Sequence, residues 1–287
     1  MTPPAPASPN PQSRAGATPR ADATGEPRAF PLERILELAR AGVTPEYIDA
    51  MDSLGYKTLS PERLIALRSQ GVGPEYVKDL KDAGYADLST DQLLSLRSQG
   101  VSASYMREMK EQGLTGLSIS DLISLRAQGV DAEGVAELKK AGYNDLSVSK
   151  LIALRAQGVT GSYIAELRAL GYEGLSTGKL MALRSQGVTP EYVSELAALG
   201  YKAVDVPMLL ALRSQGVTPE YVRGLRDAGY SNLPAGALIE LRSAGVTPEF
   251  VREMKDAGFD KLTPEELIEL RHNGVRGELL KRLRGRL

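Results

Sequence analysis

LIALRAQGVTGSYIAELRALGY, from Leu151 to Tyr172, holds two short apolar runs, each closed by Gly and a hydrophobic residue: Gly158-Val159 and Gly171-Tyr172. Helix punctuation stands at both ends of such runs. Compare SPERLIALRSQGV from Ser60 with TPEYVSELAALGY from Thr189. A Ser or Thr opens each, able to accept a hydrogen bond from an otherwise orphaned N–H. Pro follows in the first turn, where its missing donor does no harm. The next residue, Glu, complements the positive end of the helix dipole. The closing Gly supplies the left-handed residue just past the helix end. Leu59 and Val188, just before the caps, are placed to staple onto Leu64 and Val193. Each half therefore reads as a helix of about ten or eleven residues, too short to be stable alone.

Working outward, the same pair of helices recurs along most of the chain. The first Gly of each unit runs from Gly42 to Gly274 and the second from Gly55 to Gly258, every step being 29 residues. Units that cannot bury their own apolar faces must stack. The spacing predicts an all-α fold, an α-solenoid of eight to nine 29-residue two-helix repeats wound as a right-handed superhelix. The repeats occupy 30–276, and 277–287 reads as a C-terminal capping helix. Residues 1–29 hold seven of the seventeen prolines and almost no strongly apolar side chain. Nothing there offsets the entropy of ordering, so a disordered Pro/Ala/Ser-rich tail is expected. A leucine-rich repeat would share the period, but no unit carries its LxLxxN strand.

Composition narrows the function. Net charge is −1 across 287 residues, which argues against a general electrostatic grip on nucleic acid or anionic lipid. There is no cysteine and one histidine, His272, so no cofactor or metal site is expected. No apolar run approaches the roughly 20 residues of a membrane span. Gly174, Ser176 and Gly178 match the G-x-S-x-G pattern formally, but Ser176 falls in the N-cap column with Ser60, Ser89, Ser118 and Ser147. The acids recur at every step, so no pair stands apart as acid and base, and a non-enzymatic protein is expected.

The repeat makes columns of equivalent residues. One is Arg68, Arg97, Arg126, Arg155, Arg184, Arg213, Arg242 and Arg271. These are expected to reach helix-end carbonyls or the acids of a neighbouring unit, such as Asp79, Glu108 or Glu195. All twelve tyrosines lie in two columns, one opening the second helix and one following its terminal Gly. They are expected to pack with a wet hydroxyl tip. A third set is small or uncharged: Ser95, Ser98, Gln99, Ser124, Ala127, Gln128, Ala153, Ala156, Gln157, Ala182, Ser185 and Gln186. Small side chains allow close helix approach, so these twelve are expected to line a concave, partner-binding face. Two places break the pattern: Asp131 to Gly134, where Gly replaces the helix-start Tyr, and Asp205 to Pro207.

Units such as LMALRSQGVTPEYVSELAALGY, from Leu180 to Tyr201, resemble the tandem helical repeats that follow the membrane metallopeptidase region in some bacterial BlaR1-like proteins. The likeness covers the chain from about Phe30 onward and rests on LR-x-x-GVTPEY-V. HExxH is absent, so the peptidase activity does not carry over. The resemblance implies a bacterial accessory or sensor-type interaction module, in the cytoplasm or, behind a removed signal or anchor, in the periplasm. The function expected is a repeat scaffold that binds a protein or peptide. The alternatives are an extracytoplasmic ligand sensor and a nucleic-acid binder using the Arg and Tyr columns. End-to-end self-association is a further expectation.

Overall fold

A computed structural model describes residues 31–284. The expected tail, 1–29, lies outside the described residues, as do the last three residues of the expected cap. Among the described residues there are eighteen helices and no strand. The first helices of the repeats are α1 (Leu32–Arg40), α3 (Pro61–Ser69), α5 (Thr90–Ser98), α7 (Ile119–Ala127), α9 (Val148–Ala156), α11 (Thr177–Ser185), α13 (Val206–Ser214), α15 (Ala235–Ser243) and α17 (Pro264–His272). The second helices are α2 (Pro45–Ser53), α4 (Pro74–Asp82), α6 (Ala103–Glu111), α8 (Ala132–Lys140), α10 (Gly161–Ala169), α12 (Pro190–Ala198), α14 (Pro219–Asp227), α16 (Pro248–Asp256) and α18 (Gly277–Arg284). Odd helices pack on odd neighbours and even on even, giving the two layers of an α-solenoid.

Seventeen of the eighteen described helices are nine residues long and α18 is eight, shorter than the sequence suggested, because cap residues stand outside the hydrogen-bonded turns. Ser60 Oγ accepts from the Arg63 N–H and Thr189 Oγ1 from the Tyr192 N–H. Ser176 does the same for Lys179, so the G-x-S-x-G serine is a cap. Such a cap contributes about 1 kcal/mol. At the other end Gly71 takes φ 73°, its N–H bonds the Arg68 carbonyl and the Val72 N–H bonds the Leu67 carbonyl. That is a Schellman motif, and it recurs at each terminal Gly-hydrophobe pair.

Between the layers lies one continuous core. Leu64, Leu67 and Val72 of an odd helix and its exit turn, and Tyr76, Val77 and Leu80 of the next even helix, are all buried, and equivalents repeat along the stack. Full burial of one Leu is worth about 1.5–3 kcal/mol, more than an isolated nine-residue helix can supply from its backbone. Stacking thus makes the helices, in line with the sequence reading. Among the described residues no polar or charged residue is buried, and no helix is long and apolar enough to cross a membrane.

Side chains bolt each unit to the next. Tyr47 Oη donates to the Val72 carbonyl at 2.9 Å, and Tyr76, Tyr105, Tyr163, Tyr192 and Tyr221 repeat the bond 25 residues on. Tyr56 Oη donates to the Leu88 carbonyl in the following connector at 2.7 Å, and the rest of its column follows suit. The hydroxyls are therefore not wet tips, as the sequence suggested. A ring buried this deeply needs a polar partner, and the neighbouring unit's backbone supplies it.

Arg68 and Arg242 meet one of the two kinds of partner expected for their column. Arg68 Nε donates to the Gly42 carbonyl and Arg242 Nε to that of Gly216, both at 3.0 Å, so the helix-end carbonyl is the partner, not the acidic column. Glu195 pairs with Arg223 and Glu253 accepts from the Gly277 N–H. The even layer uses the same device: Lys81 Nζ donates to the Leu54 carbonyl and Arg168 to that of Ala141. In both layers a cation in the last turn meets the negative end of the preceding helix.

Candidate functional site

The twelve small and uncharged residues lie on the solvent face of the odd layer. Ser98, Gln99, Ala127, Gln128, Ala156, Gln157, Ser185 and Gln186, with Ser95, are exposed, and Ser124, Ala153 and Ala182 are half-buried. Ser98 Oγ donates to the Ser95 carbonyl at 2.9 Å and Ser185 Oγ to that of Ala182 at 3.0 Å. Those hydroxyls turn back onto their own helix, which leaves the face smoother than its composition implies. The glutamines are the C-cap residues, so Gln99, Gln128, Gln157 and Gln186 line one margin of it.

An apolar column on this face escaped the sequence reading. Leu64 and Leu67 are buried, but Ile65 beside them is only partly so. Ile123, Ile152, Met181 and Leu210 stand equivalently in α7, α9, α11 and α13, half-buried against the core with one side to solvent. With Ser120, Ser149, Gly178 and Pro207 one turn earlier, they complete an i, i+3, i+4, i+7 stripe with the small residues. The stripe is uncharged over these four helices. Its columns become acidic at both ends, with Glu33, Glu37, Glu62 and Asp91 before it and Glu240, Glu265 and Glu269 after it. At the N-terminal end Arg34 pairs with Glu37 and Glu62, and Arg63 pairs with Asp91 at 2.5 Å. The signal was legible as the 29-residue column of Ile, Leu and Met, but its partial exposure follows only from packing.

The even layer is different in kind. Its outward side chains are charged and partly paired, as in Lys78–Asp82 and Arg252–Glu249, a solvated face as the sequence suggested.

A second surface runs along the edge where odd helices end and even helices begin. There each column arginine lies over the ring of the preceding unit: Arg68 over Tyr47 at 5.2 Å, Arg97 over Tyr76 at 5.0 Å, and onward to Arg271 over Phe250 at 5.3 Å. These are cation–π distances. Burial pushes the Tyr76, Tyr105, Tyr163, Tyr192 and Tyr221 hydroxyls up to about 12, against the opposing pull of the stacked guanidinium.

The series breaks once. Gly134 replaces the ring that Arg155 would cover. A hollow opens there, lined by Val130, Val135, Leu138, Leu151, Val159 and Arg155, with Asp131 and Glu137 at its margin. The other irregular place, Asp205 to Pro207, keeps its helix: Asp205 caps α13 by accepting from the Met208 N–H at 2.8 Å. Among the described residues no group of three His, Asp or Glu side chains could hold a metal ion. No protein-family model matches the chain, and no curated protein matches it in sequence.

Proposed function

We propose that this protein is a non-enzymatic repeat scaffold that binds a protein or peptide along the solvent face of its odd helices, which forms the concave side of the array. The observation that carries this reading is the uncharged stripe of α7, α9, α11 and α13, in which half-exposed Ile123, Ile152, Met181 and Leu210 stand among Ser, Ala and Gly. Contiguous apolar surface with a polar margin is what interaction faces offer. A stack of near-identical units presents it at a constant 29-residue repeat. Such a module suits an accessory or sensor role in a bacterial cell, the role the resemblance implies.

Nucleic-acid binding is the weaker reading. The tyrosines that open the even helices lie buried under the column arginines with their hydroxyls bonded to backbone, so neither group of that pair is free for base stacking. The scaffold reading is tested by changing Ser98, Ala127 and Ala156 to Glu together and comparing partner capture with the unmodified protein. Retained helical circular dichroism with loss of the partner is the expected result. Unchanged capture would overturn the assignment of this face.

A further inference from the structure

The hollow at Gly134 has the shape of a missing tyrosine. In six units a Tyr fills the space between an odd helix and the even helix before it, and in a seventh Phe250 does so. Each Tyr ring meets three complementary features: an apolar floor, a guanidinium over its face, and a Val carbonyl that accepts its hydroxyl. At Gly134 the ring is gone and all three remain.

The floor is intact and slightly less covered than in the other units. Leu138 is 7% exposed, whereas its counterparts Leu80, Met109, Leu167 and Leu196 are fully buried. Val130 is 5% exposed, against 0–2% for Val72, Val101, Val159 and Val188. The guanidinium has not collapsed into the space. Arg155 Nε lies 3.7 Å from where a Cβ on Gly129 would stand, close to the 3.4 Å between Arg184 and the equivalent point on Gly158. The acceptor is the Val159 carbonyl, 25 residues after Gly134 as Val188 is after Tyr163, and no tyrosine reaches it. The hollow has a volume of about 40 Å³. That is room for about three waters, the scale of one ring substituent and well below a drug-sized pocket.

We propose that this hollow is a binding site for a 4-hydroxyphenyl group, which enters beneath Arg155, covers Leu138 and Val130, and donates its hydroxyl to the Val159 carbonyl. The group is a neutral phenol: exposed Asp131 and Glu137 at the margin disfavour a phenolate or a carboxylate beside the ring. Its source is a free phenol or a tyrosine side chain of another molecule, and the site recognises what they share.

The test titrates p-cresol, the tyrosine side chain itself, into the full chain by NMR. Saturable shifts should be confined to the turns and helices around 129–160. Ring protons of p-cresol should show contacts to the Leu138 and Val159 methyls. Toluene, lacking the hydroxyl, should bind about two- to tenfold more weakly, the fold-change of one ordinary hydrogen bond. The Gly134→Tyr variant should fill the hollow and abolish the shifts; Gly134 lies in the first turn of α8 with a helical φ, and the nearest atom to an added Cβ is the Asp131 side-chain oxygen at 3.1 Å, which can yield. An N-acetylated Gly-Tyr-Gly peptide that matches p-cresol assigns a protein tyrosine as the occupant. A peptide that fails where p-cresol binds assigns a free phenol. Absence of saturable shifts in the unmodified chain, contacts to methyls elsewhere, or shifts that persist in Gly134→Tyr would each overturn the proposal.

Discussion

The Tyr163 hydroxyl donates to the Val188 carbonyl at 2.9 Å while Arg184 covers its ring at 5.0 Å, so one side chain joins two repeats by two kinds of contact. Removing only the hydroxyl, in Tyr163→Phe, leaves the carbonyl without its donor in a dry setting. A loss of about 1–2 kcal/mol is expected by chemical denaturation. Tyr85→Phe should cost less, because its bond to the Leu117 carbonyl is 3.3 Å long and the ring is only half-buried. Equal losses at the two sites would contradict the difference in burial.

Alkaline pH should unfold the array through the same column. Tyrosine in the unfolded chain titrates near about 10. In the folded chain burial holds Tyr76, Tyr105, Tyr163, Tyr192 and Tyr221 up to about 12. Below the unfolded value both states are neutral and the contribution is complete. As pH rises from about 10 to 12, the unfolded chain loses protons that the folded chain keeps, and stability falls. The melting temperature should drop across this window, in step with the rise of tyrosinate absorbance on unfolding. Replacing Tyr163 and Tyr192 with Phe should flatten the drop.

Two glycine-to-alanine changes should have opposite signs. Gly158 sits at φ 68°, and an added Cβ would meet the Arg184 guanidinium at 3.4 Å. Gly158→Ala is expected to destabilise by about 1–2 kcal/mol, the cost of a left-handed L-residue. Gly236 lies inside α15, with nothing within 4 Å of an added Cβ. Gly236→Ala should stabilise by about 0.5–1 kcal/mol, since it restricts only the unfolded chain. Denaturation midpoints of the two variants decide the matter.

Thr58 carries strain of the reverse kind. It holds φ 57° in a connector, at the position taken by Gly116 and Gly174 in other units. A β-branched residue fits that conformation poorly. Thr58→Gly is expected to raise stability by about 0.5–1 kcal/mol, the left-handed penalty removed less the added chain entropy. An unchanged or lower midpoint would show that the connector relaxes around Thr58 at no cost.

Much of this fold was legible because its letters act locally. Ser60, Pro61 and Gly71 specify the two ends of α3 within their own turn, and every unit repeats the instruction. The partner of Tyr47 was not legible, and that of Arg68 only as one of two kinds, because both lie in another unit and depend on how units register. The left-handed connector at Thr58 and Asp87 was missed for a related reason: only Gly116, Gly174 and Asn232 in the same column hint at it. The small-residue columns were found, and the structure sets them on the solvent face. Their neighbours Ile123, Ile152 and Met181 were not singled out, since a residue at the margin of an apolar arc reads the same whether or not a neighbour covers it. Gly134 stood out as an irregular letter; that its loss of a ring leaves an arginine, a carbonyl and a leucine in waiting required the neighbours' geometry.

The hydrogen bonds from one repeat to the next all span between 24 and 32 residues, a single step of the array. Excision of a whole 29-residue segment would therefore return each tyrosine, arginine or lysine that donates to a backbone carbonyl to an acceptor of the same kind, and insertion of one would do likewise. Genes for such a chain can lengthen or shorten by unequal crossing-over without passing through a misfolded product. The copy that bears Gly134 is the exception, since losing it would erase a feature that no sister copy can restore.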